Sequence, residues 1–235
     1  MSLYHLKMRL KNNQLVRSVY DRLIGNKKEK ELVAQRQKAL RTYGWEMLST
    51  IEKALTEAGA RFYLDFGTLL GMVRDGDFIG HDDDMDLAIV IDDRFSWDDL
   101  EKALNKYGIR RLKQFSLDGV CTEQTYQMNG LTADFFMHYP ANDTQSYSYD
   151  YYRKDGYLYN SPYEHHGTKT YAYRVKDITT RKIHGVDLHV PVEAEAYLAS
   201  LYGAGWRVPD PNWSVEDAPA VEQVEGSLAI LSYAE

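Results

Sequence analysis

Four of the five residues from 82 to 86 are aspartates, and they lie directly before the apolar run 87–90. Buried carboxylates are costly unless something pairs with them, so these acids either lie in a solvated turn or hold a cation. If the segment is extended, its side chains alternate between two faces, and Asp82, Asp84 and Asp86 share one of them. Residues two apart on a strand are separated by about 6.5–7 Å, a spacing at which two carboxylates can converge on one or two hard cations.

A second apolar strand, predicted at 131–139, carries Asp134 in its interior. This residue is a natural third ligand if the two strands are neighbours in a sheet. Carboxylate oxygens, water and substrate phosphates are the ligands that Mg²⁺ and Mn²⁺ prefer. The acids therefore predict a site for one or two of these ions.

The residues upstream of the acids predict a phosphate site. Residues 61–66 predict a short strand that Gly67 ends, and Thr68 is a candidate cap for the short helix that follows. Free N–H groups at a helix start can bind a phosphate. Arg74 lies one to two turns further on, where its guanidinium can bind a phosphate or form an ion pair with Asp75 or Asp77. A strand, a helix start, an arginine and a pair of acids on a strand together favour phosphotransfer over a solvated acidic turn.

The rest of the chain alternates between helical and extended patterns, which predicts an α/β or α+β domain. Apolar spacing predicts helices at 32–58, 97–106 and 193–203, with a linker or cap at 25–31, and a capping pair, Ser96 and Asp99, precedes the second helix. Residues 180–192 predict a hairpin that turns near His184 and Gly185.

Composition excludes several classes of protein. With 235 residues the chain can bury a substantial core. Its single cysteine, Cys121, excludes an internal disulfide and a zinc site built from thiolates, and it favours a reducing compartment. The sequence has neither an apolar stretch long enough to span a membrane nor a secretory signal pattern, which predicts a cytoplasmic protein.

Charge is distributed unevenly along the chain. The formal net charge is −7, although residues 1–30 carry eight Lys or Arg and only two acids. The acidic remainder argues against nucleic acid as a partner, because binding to nucleic acid depends on Lys and Arg neutralising phosphates. Residues 3–24 predict a basic amphipathic helix, which either contacts an anionic membrane surface through residues 1–24 or packs on the domain or on a second subunit.

Tyrosine is concentrated in one segment, since 147–173 holds nine of the 19 tyrosines. Aromatic faces attract quaternary ammonium groups, so the segment could form a choline cage or a sugar platform. Strands also favour aromatic residues, and half-buried strand tyrosines are the alternative interpretation.

The segment 63–90, YLDFGTLLGMVRDGDFIGHDDDMDLAIV, resembles the LicD family, which also includes the fukutin-type proteins. The shared pattern is a strand, G-T-L-L-G, an arginine, F-I and an acidic D-D-D-x-D run. Similar features follow at 184–192 and 197–209. His81 departs from the pattern, because the family commonly has an aromatic residue there.

The resemblance implies an α+β polymerase-β-type nucleotidyltransferase fold, with a mixed sheet flanked by helices. Together with the charge pattern, it leads us to expect a catalytic domain over 31–235, preceded by the basic helix of 1–30. Gly67 and Thr68 would form the phosphate turn. Asp84 and Asp86 would be the D-x-D pair, with Asp82 and Asp84 as an alternative frame. Asp134 would be the third acid, and these acids would bind two Mg²⁺ or Mn²⁺ ions.

The implied activity is transfer of a phospho-alcohol, with phosphocholine from CDP-choline as the first candidate. The implied acceptor is a cell-surface glycan or its lipid-linked precursor. Two alternatives remain open from the residues alone. One is a true nucleotidyltransferase that releases pyrophosphate, and the other is a cation-dependent glycan-binding module without catalysis.

Overall fold

The computed structural model describes residues 26–152, 164–210 and 221–234. The described chain contains four long helices and ten strands, which we number in chain order. The helices are α1 (Asn26–Glu57), α2 (Phe66–Arg74), α3 (Trp97–Lys106) and α4 (Ala194–Tyr202). The strands are β1 (Phe62–Leu64), β2 (Asp84–Val90), β3 (Arg110–Leu117), β4 (Val120–Met128), β5 (Leu131–Pro140), β6 (Gln145–Tyr152), β7 (Glu164–Tyr173), β8 (Ile178–Ile183), β9 (Val186–Pro191) and β10 (Val221–Tyr233).

Eight of these strands form one mixed sheet. Their order is β1-β2-β5-β4-β3-β10-β7-β6, and a further pairing joins β6 back to β5. Six strands of the sheet, β5, β4, β3, β10, β7 and β6, therefore pair in a closed ring. The β2–β5 pair is parallel, whereas the other pairs of this sheet are antiparallel in the described residues.

The helices pack on this sheet, which confirms the predicted α+β architecture. Helix α1 contacts β2, β5 and β9, α2 contacts β2 and α4, and α4 contacts β7. The buried face of α1 is an apolar stripe at helical spacing, and its members are Leu40, Met47, Leu48, Ile51 and Leu55. None of the helices in the described ranges is both long and apolar enough to cross a membrane.

The interpretation of 25–31 as a linker or cap is wrong for residues 26–31, because these residues belong to α1, which begins at Asn26. Residues 27–31 are all Lys or Glu, which have favourable helix propensity, so nothing in their composition stops the helix. Helix α1 therefore runs across the expected domain boundary at residue 30. The helix predicted at 3–24 lies outside the described residues.

Two other local predictions are confirmed. Helix α3 begins after Ser96, whose side chain accepts a hydrogen bond from the N–H of Asp99. The hairpin β8–β9 turns at His184 and Gly185, which both have positive φ angles, of 49° and 83°. Two consecutive positive φ angles are the geometry of a type I′ turn, which matches the twist of antiparallel strands.

Strand β5 was predicted at 131–139, whereas β3 and β4 were not among the sequence-based predictions, although the sequence carries the turn signals that join the three strands. Asp118–Gly119 joins β3 to β4 and Asn129–Gly130 joins β4 to β5, and all four residues have positive φ. Asp-Gly and Asn-Gly between extended segments are strong hairpin signals. Strands β3 and β4 have polar residues on both faces, so a search for apolar runs does not find them.

Candidate active site

The predicted acids lie on two neighbouring strands. In the parallel β2–β5 pair, Asp86 is the register partner of Asp134, and Asp84 is the partner of Thr132. Register partners point to the same face of a sheet, so Asp84, Asp86 and Asp134 share a face. The condition on which Asp134 was named as a third ligand, that the two strands are neighbours, is therefore met. Strand β2 begins at Asp84, which leaves Asp82 in the preceding loop rather than on the strand.

The acids are poorly solvated and close enough to repel one another. Burial, together with repulsion from the charge of Asp134, raises the pKa of Asp84 to about 7. Burial also raises the pKa of Asp86 well above its usual range, with added repulsion from Asp84 and Asp134. In the loop, burial raises the pKa of Asp82 to about 6. A set of carboxylates in this environment is held ionised most readily by a bound cation.

The backbone of Asp86 is held from both sides by the β1–α2 junction. Its N–H donates to the hydroxyl oxygen of Thr68 at 2.9 Å, and its carbonyl accepts from the N–H of Asp65 at 3.0 Å. Thr68 is buried. A Cβ on Gly67 would lie 3.0 Å from the Oδ2 of Asp82 and 3.7 Å from that of Asp86, so glycine lets the chain approach the acids closely.

The prediction that Thr68 caps the helix was wrong. Asp65 is the N-cap, since its carboxylate accepts from the N–H of Phe66 at 2.8 Å and α2 begins at Phe66. Aspartate is among the strongest N-cap residues, and Asp65 directly follows β1. Thr68 therefore lies in the first turn of the helix, where its hydroxyl is free to orient Asp86.

Asp65 is also the centre of a buried polar network that the sequence analysis missed. Its carboxylate accepts from the hydroxyl of Tyr197 at 2.5 Å and lies 2.7 Å from the Nε2 of His138. The Nδ1 of His138 is 3.1 Å from the hydroxyl of Tyr63. The network ties β1, α2, β5 and α4 together directly beside Asp86. Its members are far apart in the sequence, so no local signal indicates it.

Among the described residues, Arg36, Arg74 and Lys113 are Lys or Arg side chains that act on the acids, and only Arg74 was singled out from the sequence. Arg74 forms an ion pair with Asp75, with a shortest N–O distance of 2.8 Å, and its charge lowers the pKa of Asp82. Arg36 of α1 lies 3.6 Å from Asp83. Lys113 of β3 has a charge that lowers the pKa of Asp134, against the effect of burial. The phosphate-binding role of Arg74 stays a prediction.

The donor set fits a magnesium or manganese ion by its chemistry, because it consists of carboxylate oxygens alone. Across the described ranges, no three Asp, Glu, His or Cys side chains converge closely enough to enclose an ion by themselves. Mg²⁺ is usually bound through one or two carboxylates together with water and substrate phosphates, so enclosure by protein groups is not required.

The described tyrosines of the tyrosine-rich segment are strand residues, as the second interpretation predicted. Tyr147, Tyr149 and Tyr151 lie on β6, and Tyr171 lies on β7. The rings of Tyr139 and Tyr147 stack at 5.4 Å, and those of Tyr149 and Tyr151 at 6.4 Å. The faces of these tyrosine rings are therefore partly covered by neighbouring tyrosine rings. Residues 153–163 lie outside the described residues, and a choline or sugar site stays a prediction.

Comparison with known proteins extends the sequence resemblance. The sequence model of the LicD/FKTN/FKRP nucleotidyltransferase domain matches residues 59–193. Ribitol-5-phosphate transferase FKTN of Mus musculus is 27% identical over 193 residues, which are 81% of this chain and 39% of the relative. The Homo sapiens protein of the same name is 26% identical over 200 residues, 84% of this chain and 40% of the relative.

The chain thus spans about two-fifths of the length of these curated relatives. Among solved structures, a crystal structure of ANT(2")-Ia in complex with adenylyl-2"-tobramycin aligns with 74% of this chain and 83% of that one. The TM-score is 0.41 and the sequence identity 15%.

Proposed function

The chain belongs to the LicD/FKTN/FKRP nucleotidyltransferase-domain family, and on that premise we propose that it transfers a phospho-alcohol from a CDP-alcohol to a glycan hydroxyl. The observation that carries the proposal is the register of Asp86 with Asp134, beside the start of α2. That register brings three carboxylates to one face, next to N–H groups that can bind a phosphate. We also propose that the acceptor is a glycan or a lipid-linked glycan precursor.

The reaction we propose is an attack by the acceptor oxygen on the phosphorus that bears the alcohol. The bond from that phosphorus to the oxygen shared with CMP breaks, and CMP leaves. Asp134 accepts the proton of the acceptor hydroxyl, and the Thr125 hydroxyl, which donates a hydrogen bond to Asp134, orients it. The N–H groups of Gly67 and Thr68 in the first turn of α2, together with the guanidinium of Arg74, orient the donor phosphates.

Asp84, Asp86 and Asp134 would hold two Mg²⁺ or Mn²⁺ ions, which supply positive charge to the donor phosphates when bound. Two alcohols are candidates for the transferred group. The family resemblance supports phosphocholine, and the name of the FKTN relatives supports ribitol phosphate as the second candidate.

The test is the identity of the leaving group. We expect purified protein with Mg²⁺ or Mn²⁺ to bind CDP-ribitol or CDP-choline and, with an acceptor glycan, to release CMP. Asp86→Asn should abolish CMP release, whereas Asp187→Asn, at an exposed position on β9, should not. Pyrophosphate released from a nucleoside triphosphate, with no response to a CDP-alcohol, would instead identify a nucleotidyltransferase. Binding of glycan without any turnover would identify a binding module.

We further propose that the basic residues 1–24 bring a cytoplasmic enzyme to an anionic membrane surface. The support is the excess of eight Lys or Arg over two acids in residues 1–30. Flotation with anionic vesicles at low salt should retain the full chain and lose a chain that lacks 1–24. Failure of the full chain to float would point to packing against the domain or a second subunit.

A further inference from the structure

A β-bulge decides which face of β3 carries Lys113. Arg111 is opposite Tyr126 on β4 and Lys113 is opposite Thr125, so that Leu112 is an extra residue between them. In a regular strand, residues 111 and 113 would share a face. The extra residue places them on opposite faces instead. Bulges re-aim side chains in this way and are common next to active sites.

The two faces have different surroundings. The Nε of Arg111 lies 3.3 Å from Glu101 on α3, so Arg111 points towards a helix. Lys113 belongs to a row of register partners that runs across four strands through Thr125 and Asp134 to Asp86. Register partners share a face, so Lys113 lies on the face of the sheet that carries the acids.

Lys113 differs from the other cations of the site because it has no close anionic partner in the described chain. Arg36 pairs with Asp83 and Arg74 pairs with Asp75. Within the described residues Lys113 makes no ion pair within 4.0 Å and no side-chain hydrogen bond. Its half-buried side chain instead crosses the Phe115 ring, with Nζ 5.2 Å from the ring centroid.

We propose that Lys113 is a substrate-binding residue that contacts the phosphates of a nucleoside diphosphate donor. Strands are about 4.7–4.9 Å apart, so the backbone of Lys113 lies roughly 10 Å from that of Asp134, two strands away. An extended lysine side chain spans enough of that distance to contact a phosphate bound beside the acids. An ammonium on a flexible stem is a common phosphate ligand. The identity of the donor in this assignment rests on the proposed function. The presence of a site for a diphosphate does not depend on that function.

The test compares two ligands that contain a diphosphate with one that contains none. With Mg²⁺ present, calorimetric titration of Lys113→Met should show CDP and inorganic pyrophosphate bound at least about tenfold more weakly than by the parent, since hydrogen bonds to charged groups are strong. Affinity for cytidine, which has no phosphate, should not change. Lys113→Arg, which keeps the charge, should recover most of the loss. The matched control is Lys102→Met on α3, an exposed lysine that pairs with Asp99 at 3.0 Å, and it should bind all ligands as the parent does.

Equal affinities of the parent and Lys113→Met for CDP and pyrophosphate would overturn the assignment. A parent protein that binds neither ligand would also overturn it. A lower melting temperature of Lys113→Met with both affinities unchanged would indicate that Lys113 has a structural role alone. If Lys113→Met does not fold, Lys113→Gln is measured in its place with the same expectations. A parent that binds pyrophosphate through Lys113 but releases no CMP from any CDP-alcohol supports this assignment and contradicts the proposed function.

Discussion

Asp86 shows at the residue scale how a functional position is held by groups that the acidic motif does not contain. Thr68 binds its N–H and Asp65 binds its carbonyl, so the backbone of Asp86 is fixed whatever its side chain does. A buried N–H without an acceptor costs about 1–3 kcal/mol, which makes the Thr68 hydroxyl a test of this arrangement.

Thr68→Val should destabilise the protein by about 1–3 kcal/mol, because the isosteric side chain removes the acceptor and leaves the Asp86 N–H unpaired. Hydrogen exchange measured by NMR should show faster exchange at the Asp86 amide. Thr68→Ser is the control, since it keeps the hydroxyl and loses only a buried methyl group. Equally slow exchange at Asp86 in both variants would contradict the role given to the hydroxyl.

The stability of the metal-free protein should depend on pH through the acids. Burial raises the pKa of Asp84 to about 7, from an unfolded value near 3.9. The folded state therefore binds more protons than the unfolded state between these pH values. The contribution of Asp84 to the free energy of unfolding is fully present below about pH 4, and it is lost as the pH rises through about 7. Asp84→Asn removes this proton linkage, so its melting temperature in EDTA should fall less between pH 5 and pH 8.

Asp187→Asn is the control for this measurement, because Asp187 is exposed and pairs with Lys182 at the protein surface. Its melting curve should follow that of the parent across the same pH range. A parent protein in EDTA that gains stability between pH 5 and pH 8 would show that the acids are already neutralised by other groups.

At the scale of elements, α2 must lie close to the chain that leads into the acids. A Cβ on Gly71 of α2 would lie 2.5 Å from the carbonyl oxygen of Asp77 and 3.1 Å from the N–H nitrogen of Ile79. Both contacts are with backbone, which cannot move aside as a flexible side chain can. Glycine at this position therefore sets the distance between α2 and the segment before β2.

Gly71→Ala should destabilise the protein in urea denaturation, even though alanine is preferred to glycine inside a helix by about 1 kcal/mol. The clash with the Asp77 carbonyl outweighs that preference, and we expect a net loss of about 1–3 kcal/mol. Gly80→Ala is the matched control, since a Cβ there meets nothing within 4 Å. An unchanged or higher stability of Gly71→Ala would mean that α2 can shift away from residues 77–79 at little cost.

At the scale of the whole molecule, the acidic body favours cations over anions, and a ligand that binds only the native state stabilises it. A metal at about 100 times its dissociation constant adds about 2.7 kcal/mol. For a chain of this size, each kcal/mol raises the melting temperature by about 2–4 °C. Mg²⁺ or Mn²⁺ should therefore raise the melting temperature by roughly 5–10 °C at saturation, and Asp86→Asn should reduce that shift. No shift at millimolar metal with CDP present would count against the metal site.

Local patterns were enough to predict several parts of this protein. The apolar run after the acids predicted β2, Ser96 and Asp99 predicted the start of α3, and His184 with Gly185 predicted the turn of β8–β9. Each of these depends on the periodicity of side chains or on the φ angles of a few adjacent residues, which neighbours in the sequence determine. The same periodicity placed Asp84 and Asp86 on one face.

Only the tertiary structure decided which elements meet. The register of Asp86 with Asp134 joins residues 48 positions apart, and the Asp65 network joins β1 to α4 across 132 positions. The bulge that turns Lys113 towards the acids depends on its pairing with β4. Pairings over such distances follow from the packing of whole faces against one another, and no residue carries that information in its local neighbourhood. The sequence by itself therefore determined the acids and the strands that carry them, and the packed sheet decided what lies beside them.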